Sequence, residues 1–360
     1  MTERHPHLNI IESRFLELDA LRGLAAVMVV LFHYTINSNG VLLGWEFRYG
    51  VTGVDIFFMI SGFVIFLTIS RVKQWPDFLV SRFARLYPAF WCCLFLTTIV
   101  TMFFEPELVS SQRFLANMTM MSIFFDQENM DQAYWTLLVE LIFYFWNLAL
   151  LVVGKIKSIV SVGVAFTVLI VLFYAFSSHY PGFHELATRK IELLNHFPLF
   201  FSGILFYLIR NGSHVRRNSV LIVLSLLAAC FLHSQGGRSQ YHVTPIEHYA
   251  ILTIFHIVFA LAIFGKLGFL NKAPLLFLGK ISYCLYLIHQ YIGLRLLWIL
   301  TDLWQVNIYP ALLITILTVV FIAYLVNKFV EIPANLLIRN WYKHRNQKGS
   351  HAGSREIAMQ

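Results

Sequence analysis

The sequence predicts an all-α fold, a polytopic helical bundle of about ten membrane spans, and three observations carry that prediction. The chain of 360 residues is 58% hydrophobic and only 13% charged, with a mean hydropathy of +0.68, well outside the range of a soluble domain. Its apolar residues fall in repeated stretches long enough to cross about 30 Å of hydrocarbon as helices. The stretches lack the alternation over about 10 residues that a transmembrane β-barrel shows.

Taken in order, the spans lie near 19–37, 51–70, 86–104, 134–153, 159–176, 193–209, 218–233, 248–265, 279–300 and 309–330. The seventh is short, and Glu331 with Pro333 closes the tenth. Before them, residues 1–18 have no apolar core of a signal peptide, so the first span is expected to stay in the protein. After them, 336–360 reads as a polar tail, leaving 19–335 as one membrane domain with no internal repeat. The long polar loop 105–133 contains an amphipathic stretch, SQRFLANMTMMSIFF, suited to lie on the membrane surface. Asn117-Met118-Thr119 within it matches a short glycosylation pattern of low specificity.

Loop charges orient the bundle. One alternate set of loops holds Arg71, Lys73, Arg82, Arg85, Lys155, Lys157, Arg210, Arg216, Arg217, Lys266, Lys272 and Lys280. The other set holds Arg48, Arg113, Arg189, Lys190 and Arg238, offset by Glu105, Glu107, Asp126, Glu128 and Asp131. Basic loops stay cytoplasmic, so the first set and both termini are expected inside the cell. The net charge of +8 therefore reflects topology, and no nucleic-acid partner is expected. Cys92, Cys93, Cys230 and Cys284 all sit in apolar stretches, giving no disulfide framework. Histidines 179, 184, 214 and 242 lack metal-ligand spacing, so no metal is expected.

Ionisable side chains are costly in lipid and mark candidate chemistry. Arg22 and His33, joined by Asp19, are eleven residues apart on the first span. That separation returns to within about 20° of one helix face and spans roughly 16 Å. One stripe thus offers a cation for anions at one level and a proton-transfer group at another. A snorkelling arginine and a hydrogen-bonded histidine would satisfy the same pattern. Asp55 in GVDIFFMISGF and Glu140 in YWTLLVELIFYFW are buried carboxylates that could orient His33; Asp55 could equally pair with a donor such as Arg295. Arg82 and Arg85 in SRFARLYP form a guanidinium pair that suits phosphate, or else anchors the helix by its charge. His289 lies in mid-membrane, and His256 reads as a structural hydrogen bonder. Trp45, Tyr49, Tyr134 and Trp135 could stack on sugars or simply belong to the interfacial aromatic belt.

Five blocks, LDALRGLAAVMVVLFHY, GVDIFFMISGFVI, SRFARLYP, YWTLLVELIFYF and ISYCLYLIH, occur in the order found in the membrane-bound acyltransferase-3 family, which the chain resembles over 15–335. The resemblance implies a membrane enzyme of the bacterial inner membrane that acylates extracytoplasmic glycans. It implies that His33 and Arg22 are required for transfer and that Arg82 and Arg85 handle acyl-CoA. The donor is then acetyl-CoA or another acyl-CoA, and the acceptor is a surface polysaccharide, lipopolysaccharide or other glycan, with membrane lipid as surroundings and homo-oligomerisation left open. His33 would serve as general base or as an acyl-carrying nucleophile. The sequence departs from many relatives in having only a short tail where they continue into an extra helix and an esterase-like domain. A transporter or flippase using the same charges as a proton pathway is the rival expectation.

Overall fold

A computed structural model describes residues 15–72 and 74–357, with side chains to 345. Twelve of the fifteen α-helices among the described residues build the bundle. They are α1 (Leu16–Thr35), α2 (Gly53–Ile69), α3 (Trp75–Phe104), α4 (Trp135–Val152), α5 (Ile159–Ala175) and α6 (Leu193–Arg210), followed by α7 (Val215–His233), α8 (Pro245–Ile263), α9 (Ala273–Ile288), α10 (Tyr291–Trp298), α11 (Ile308–Val326) and α12 (Ile332–Ile357). The remaining three α-helices and a set of single helical turns fill the loops, and no strand occurs among the described residues. The chain is a multi-pass helical membrane protein: eight helices are long and apolar enough to cross a bilayer, and up to nine if α9 and its continuation form one span bent by 74°.

Boundaries differ from the sequence reading in four places, each for a physical reason. The helix expected at 86–104 begins at Trp75, because Gln74 and Asp77 form a reciprocal capping box with Pro76 in the first turn. Arg82 and Arg85 therefore project from a helix rather than a loop. The span expected at 279–300 breaks after Ile288. There the new N-terminus is held from outside, the Tyr291 amide donating to Asp131 Oδ2 at 2.9 Å. The tenth span continues through a π-helical segment, Asn327–Glu331, into α12, so the backbone is helical to Ile357 across the stretch read as a tail. Finally α1, counted among the ten, is not one of the eight; it carries Glu17, Asp19, Arg22 and His33.

Where water offers no help, helices associate through close packing of small residues. Gly62 of α2 lies against the Phe200 carbonyl of α6, and Gly203 of α6 lies against the Met59 carbonyl of α2, so these two central helices touch backbone to backbone. Likewise Gly23 of α1 sits where a Cβ would come within 2.7 Å of the Gly279 amide nitrogen, and Gly279 packs on the Asp19 carbonyl. This second crossing seats Arg22 beside α9. Apolar residues facing outward, such as Val168, Leu169 and Leu172 on α5 and Leu313, Leu317 and Phe321 on α11, meet lipid. Gly279→Ala is expected to separate α1 from α9 and cost about 1–3 kcal/mol, read as a lower thermal midpoint of the detergent-solubilised protein. Gly268→Ala, where a Cβ meets nothing within 4 Å, should leave that midpoint unchanged.

Candidate active site

At the Arg22 end of α1, helices α1, α2, α3, α4, α9 and α12 enclose a cavity of about 200 Å³. Arg22, Arg82, Arg85 and Arg339 line it with Glu140, Ser61, Tyr144 and Tyr283. The four cations are not equivalent. Arg85 is ion-paired with Glu331, a buried carboxylate that also accepts from Asn327 Nδ2 at 2.8 Å and from the Cys284 thiol at 3.1 Å. The π-helical segment places Asn327 and Glu331 on this inner face. Arg22 lies 3.6 Å from Asp19. Arg82 and Arg339 share the Ser81 hydroxyl, at 3.2 and 2.7 Å, and Arg82 also reaches Thr68 at 3.2 Å. Among the described residues neither stands in an ion pair with a carboxylate, although Glu140 lines the same cavity, so both guanidinium groups keep donors for an anionic ligand. Glu140 accepts from Ser61 at 2.8 Å and from Tyr144 at 2.6 Å.

At the other end of α1 a larger cavity of about 670 Å³ contains His33. Trp135, Arg189, Glu192, His196, Arg238, Tyr241 and His242 also line it. Arg238 donates twice to Glu192, at 2.9 and 3.3 Å, and lies 4.4 Å over the Trp135 ring. Such a wall combines fixed charges, hydrogen-bond groups and an aromatic face. His242, in the loop before α8, packs its ring 4.8 Å from Phe32. Burial lowers its imidazole below the ordinary histidine value, with Glu46 pulling the other way. Val54 and Tyr286 line both cavities. They form the partition between the arginine end and the histidine end, and Thr136 holds the Tyr286 hydroxyl in place at 2.9 Å.

The sequence candidates therefore divide. Arg22, Arg82, Arg85 and Glu140 come together in one cavity, and His33 stands in the next. Neither carboxylate offered as an orienting partner bonds to His33. Asp55 is buried on His248 Nε2 at 3.0 Å, with the His233 ring stacked at 3.9 Å on His248, while Glu140 belongs to the arginine cavity. Arg295, offered as a partner for Asp55, is bound to Glu105 at 2.6 Å. The neighbour of His33 is instead His289, with ring centroids 5.2 Å apart. Of the four aromatic residues, only Trp135 lines the cavity; Tyr134 packs on Phe90, Tyr49 bonds Glu247, and Trp45 is exposed. His256 bonds Leu252 and Ser202 as a structural residue does. Asn117 is buried and bonded to Arg113, Glu128 and Met130, so the glycosylation pattern is part of the loop's internal scaffold.

Sequence reasoning missed Arg339, Arg238 and His242 as cavity residues. Arg339 sits among Lys343, Arg345 and Lys348 in what looks like an ordinary basic tail, and only the helical continuation past Pro333 turns it inward. The signal available for Tyr286 and His289 was their spacing of three, which places them on one helix face.

A polytopic membrane protein with a cluster of cations at one end of a charged helix and an imidazole at the other is the class these features define. Residues 15–327 match the family described as acyltransferase domain, and the chain belongs to that family. It is 26% identical over 365 residues to the peptidoglycan O-acetyltransferase OatA of Listeria monocytogenes serovar 1/2a, covering 88% of this chain and 55% of that protein. It is 26% identical over 341 residues to the O-acetyl transferase of Shigella phage Sf6, covering 87% of this chain and 94% of that protein. The chain thus spans about half the length of the first relative and nearly all of the second. No solved structure matches.

Proposed function

We propose that this protein is an O-acetyltransferase of the bacterial inner membrane, moving acetyl groups from cytoplasmic acetyl-CoA to a hydroxyl of an extracytoplasmic carbohydrate. The observation that carries the reading is the pair of cavities strung along α1, with arginines in one, His33 in the other and a partition of Val54 and Tyr286 between them. The charge of the flanking loops supports a cytoplasmic position for the arginine end. There Arg82, Arg339 and Arg22 bind the CoA phosphates, bidentate donors to planar anionic oxygens being what guanidinium groups supply best. The pantetheine arm passes between Val54 and Tyr286, and the rise of roughly 16 Å from Arg22 to His33 along the helix is of the length such an arm bridges.

In the outer cavity the acceptor hydroxyl attacks the thioester carbonyl while neutral His33 takes its proton. The C–O bond forms, the C–S bond breaks, and His33 returns the proton to the departing CoA thiolate. The lining of Trp135, Arg238, Glu192 and Tyr241 supports a carbohydrate acceptor, whose ring faces stack on aromatics and whose hydroxyls bond to fixed polar groups. The names of the two relatives, each an O-acetyl transferase, agree with acetyl as the transferred group.

The test supplies radiolabelled acetyl-CoA to the outside of inside-out vesicles that enclose an oligosaccharide acceptor. Label on the enclosed sugar, dependent on this protein, is the expected result. Sugar that crosses the membrane unlabelled would assign the protein to transport instead.

A further inference from the structure

The histidine beside His33, His289, takes no part in the proton transfer as proposed. His289 is the residue at which α9 ends, and its side chain is wholly buried. Its Nδ1 lies 2.7 Å from the Tyr286 carbonyl. A carbonyl only accepts, so Nδ1 carries the proton and Nε2 is left as a bare lone pair. That Nε2 is buried and has no hydrogen-bond partner. Buried acceptors are satisfied almost everywhere in folded proteins, so a donor to this lone pair is to be sought among the groups beside it.

The backbone around the break holds the ring where it is. Tyr34 of α1 donates its hydroxyl to the His289 carbonyl at 2.7 Å, and Asp131 takes the Tyr291 amide just beyond. His33 is the less constrained of the two: it faces the large cavity and makes no side-chain hydrogen bond with the described residues. The two rings are 5.2 Å apart at 49°, so a side-chain rotation brings a nitrogen of one within reach of the other. Among the described residues, one imidazole has a buried lone pair with no donor, and the other faces the cavity with no protein group to accept its N–H.

We propose that His289 is the positioning residue of His33: its Nε2 accepts the His33 N–H, fixes the tautomer, and leaves the other nitrogen of His33 bare toward the acceptor hydroxyl. The inference rests on the base role proposed for His33. In hydrolytic triads a carboxylate fills this position; here Asp55 and Glu140 are committed elsewhere, and a neutral imidazole serves. When His33 takes the acceptor's proton, the bond to His289 becomes charge-assisted and strengthens. The stabilisation is therefore larger in the transition state than in the ground state and appears in kcat.

Two amide substitutions separate this from a purely structural role. The amide nitrogen of Asn reproduces Nδ1 and keeps the bond to Tyr286, whereas the longer Gln amide reaches the level of Nε2 and keeps an acceptor beside His33. His289→Asn is expected to lower kcat about 10- to 100-fold at unchanged KM for acetyl-CoA and sugar. His289→Gln should retain more activity than His289→Asn, and the His33→Ala/His289→Asn double variant should be no slower than His33→Ala alone. Should His289→Asn fail to accumulate in the membrane, His289→Gln against His289→Met, which has no comparable acceptor, makes the same comparison. A wild-type kcat for His289→Asn, or Gln performing no better than Asn or Met at equal protein level, overturns the proposal. If His33→Ala is also near wild type, the base role itself has failed; if His33→Ala is inactive, only the role of His289 has.

Discussion

His33→Ala is expected to abolish transfer while leaving the protein in the membrane at wild-type level. The imidazole faces the cavity and forms no side-chain hydrogen bond among the described residues, so its removal deletes no internal contact of that kind. A positioned general base contributes about 10²- to 10⁴-fold to rate, and the loss should fall on kcat with KM for acetyl-CoA unchanged, because the site proposed for the CoA nucleotide lies among the arginines of the other cavity. Initial rates at saturating and limiting acetyl-CoA measure both quantities. An alanine variant within a few-fold of wild type would reduce His33 to a residue of the cavity wall. Asp55→Asn supplies the contrast: Asp55 is bonded to His248 and not to His33, so its substitution should weaken the folded protein more than it slows the reaction.

The contrast shows what periodicity delivers and what it does not. Arg22 and His33 on one stripe follow from the 3.6-residue repeat alone, and the structure puts them in adjoining cavities along that stripe. Contacts within a helix are legible because the chain itself sets their spacing. Contacts between helices are not, since Asp55 could choose among several donors and only the tertiary arrangement that brings His248 of α8 to it makes the pair. Breaks were hidden for a related reason. Nothing local in YLIHQYIG ends a helix; the bend there depends on Asp131, which lies 160 residues earlier in the chain. The same holds for Arg339, whose place beside Arg82 requires α11 to pass through a π-helical turn before α12 returns to the base of α3.

Arg82→Ala and Arg339→Ala should each raise KM for acetyl-CoA with little change in kcat. A hydrogen bond to a charged group is worth about 1.5–3 kcal/mol, or about 10- to 100-fold in KM, and contacts to CoA phosphates are made equally in ground and transition states. Lysine at either position should restore only part of the affinity, a point charge replacing a bidentate fork. Added salt should weaken donor binding less in the double variant than in the wild type, since fewer cations remain to be screened. Arg85 should behave differently although it lines the same cavity. Its guanidinium is committed to the buried Glu331, so Arg85→Ala strands a carboxylate in a site where losing one partner costs about 3–5 kcal/mol. Low yield or a depressed melting point is expected there, and pairing the change with Glu331→Gln should recover much of the stability by removing the stranded charge. If Arg82→Ala and Arg339→Ala keep the wild-type KM while Arg85→Ala alone raises it with stability intact, the phosphates are held by Arg85, and Glu331 is the group they displace.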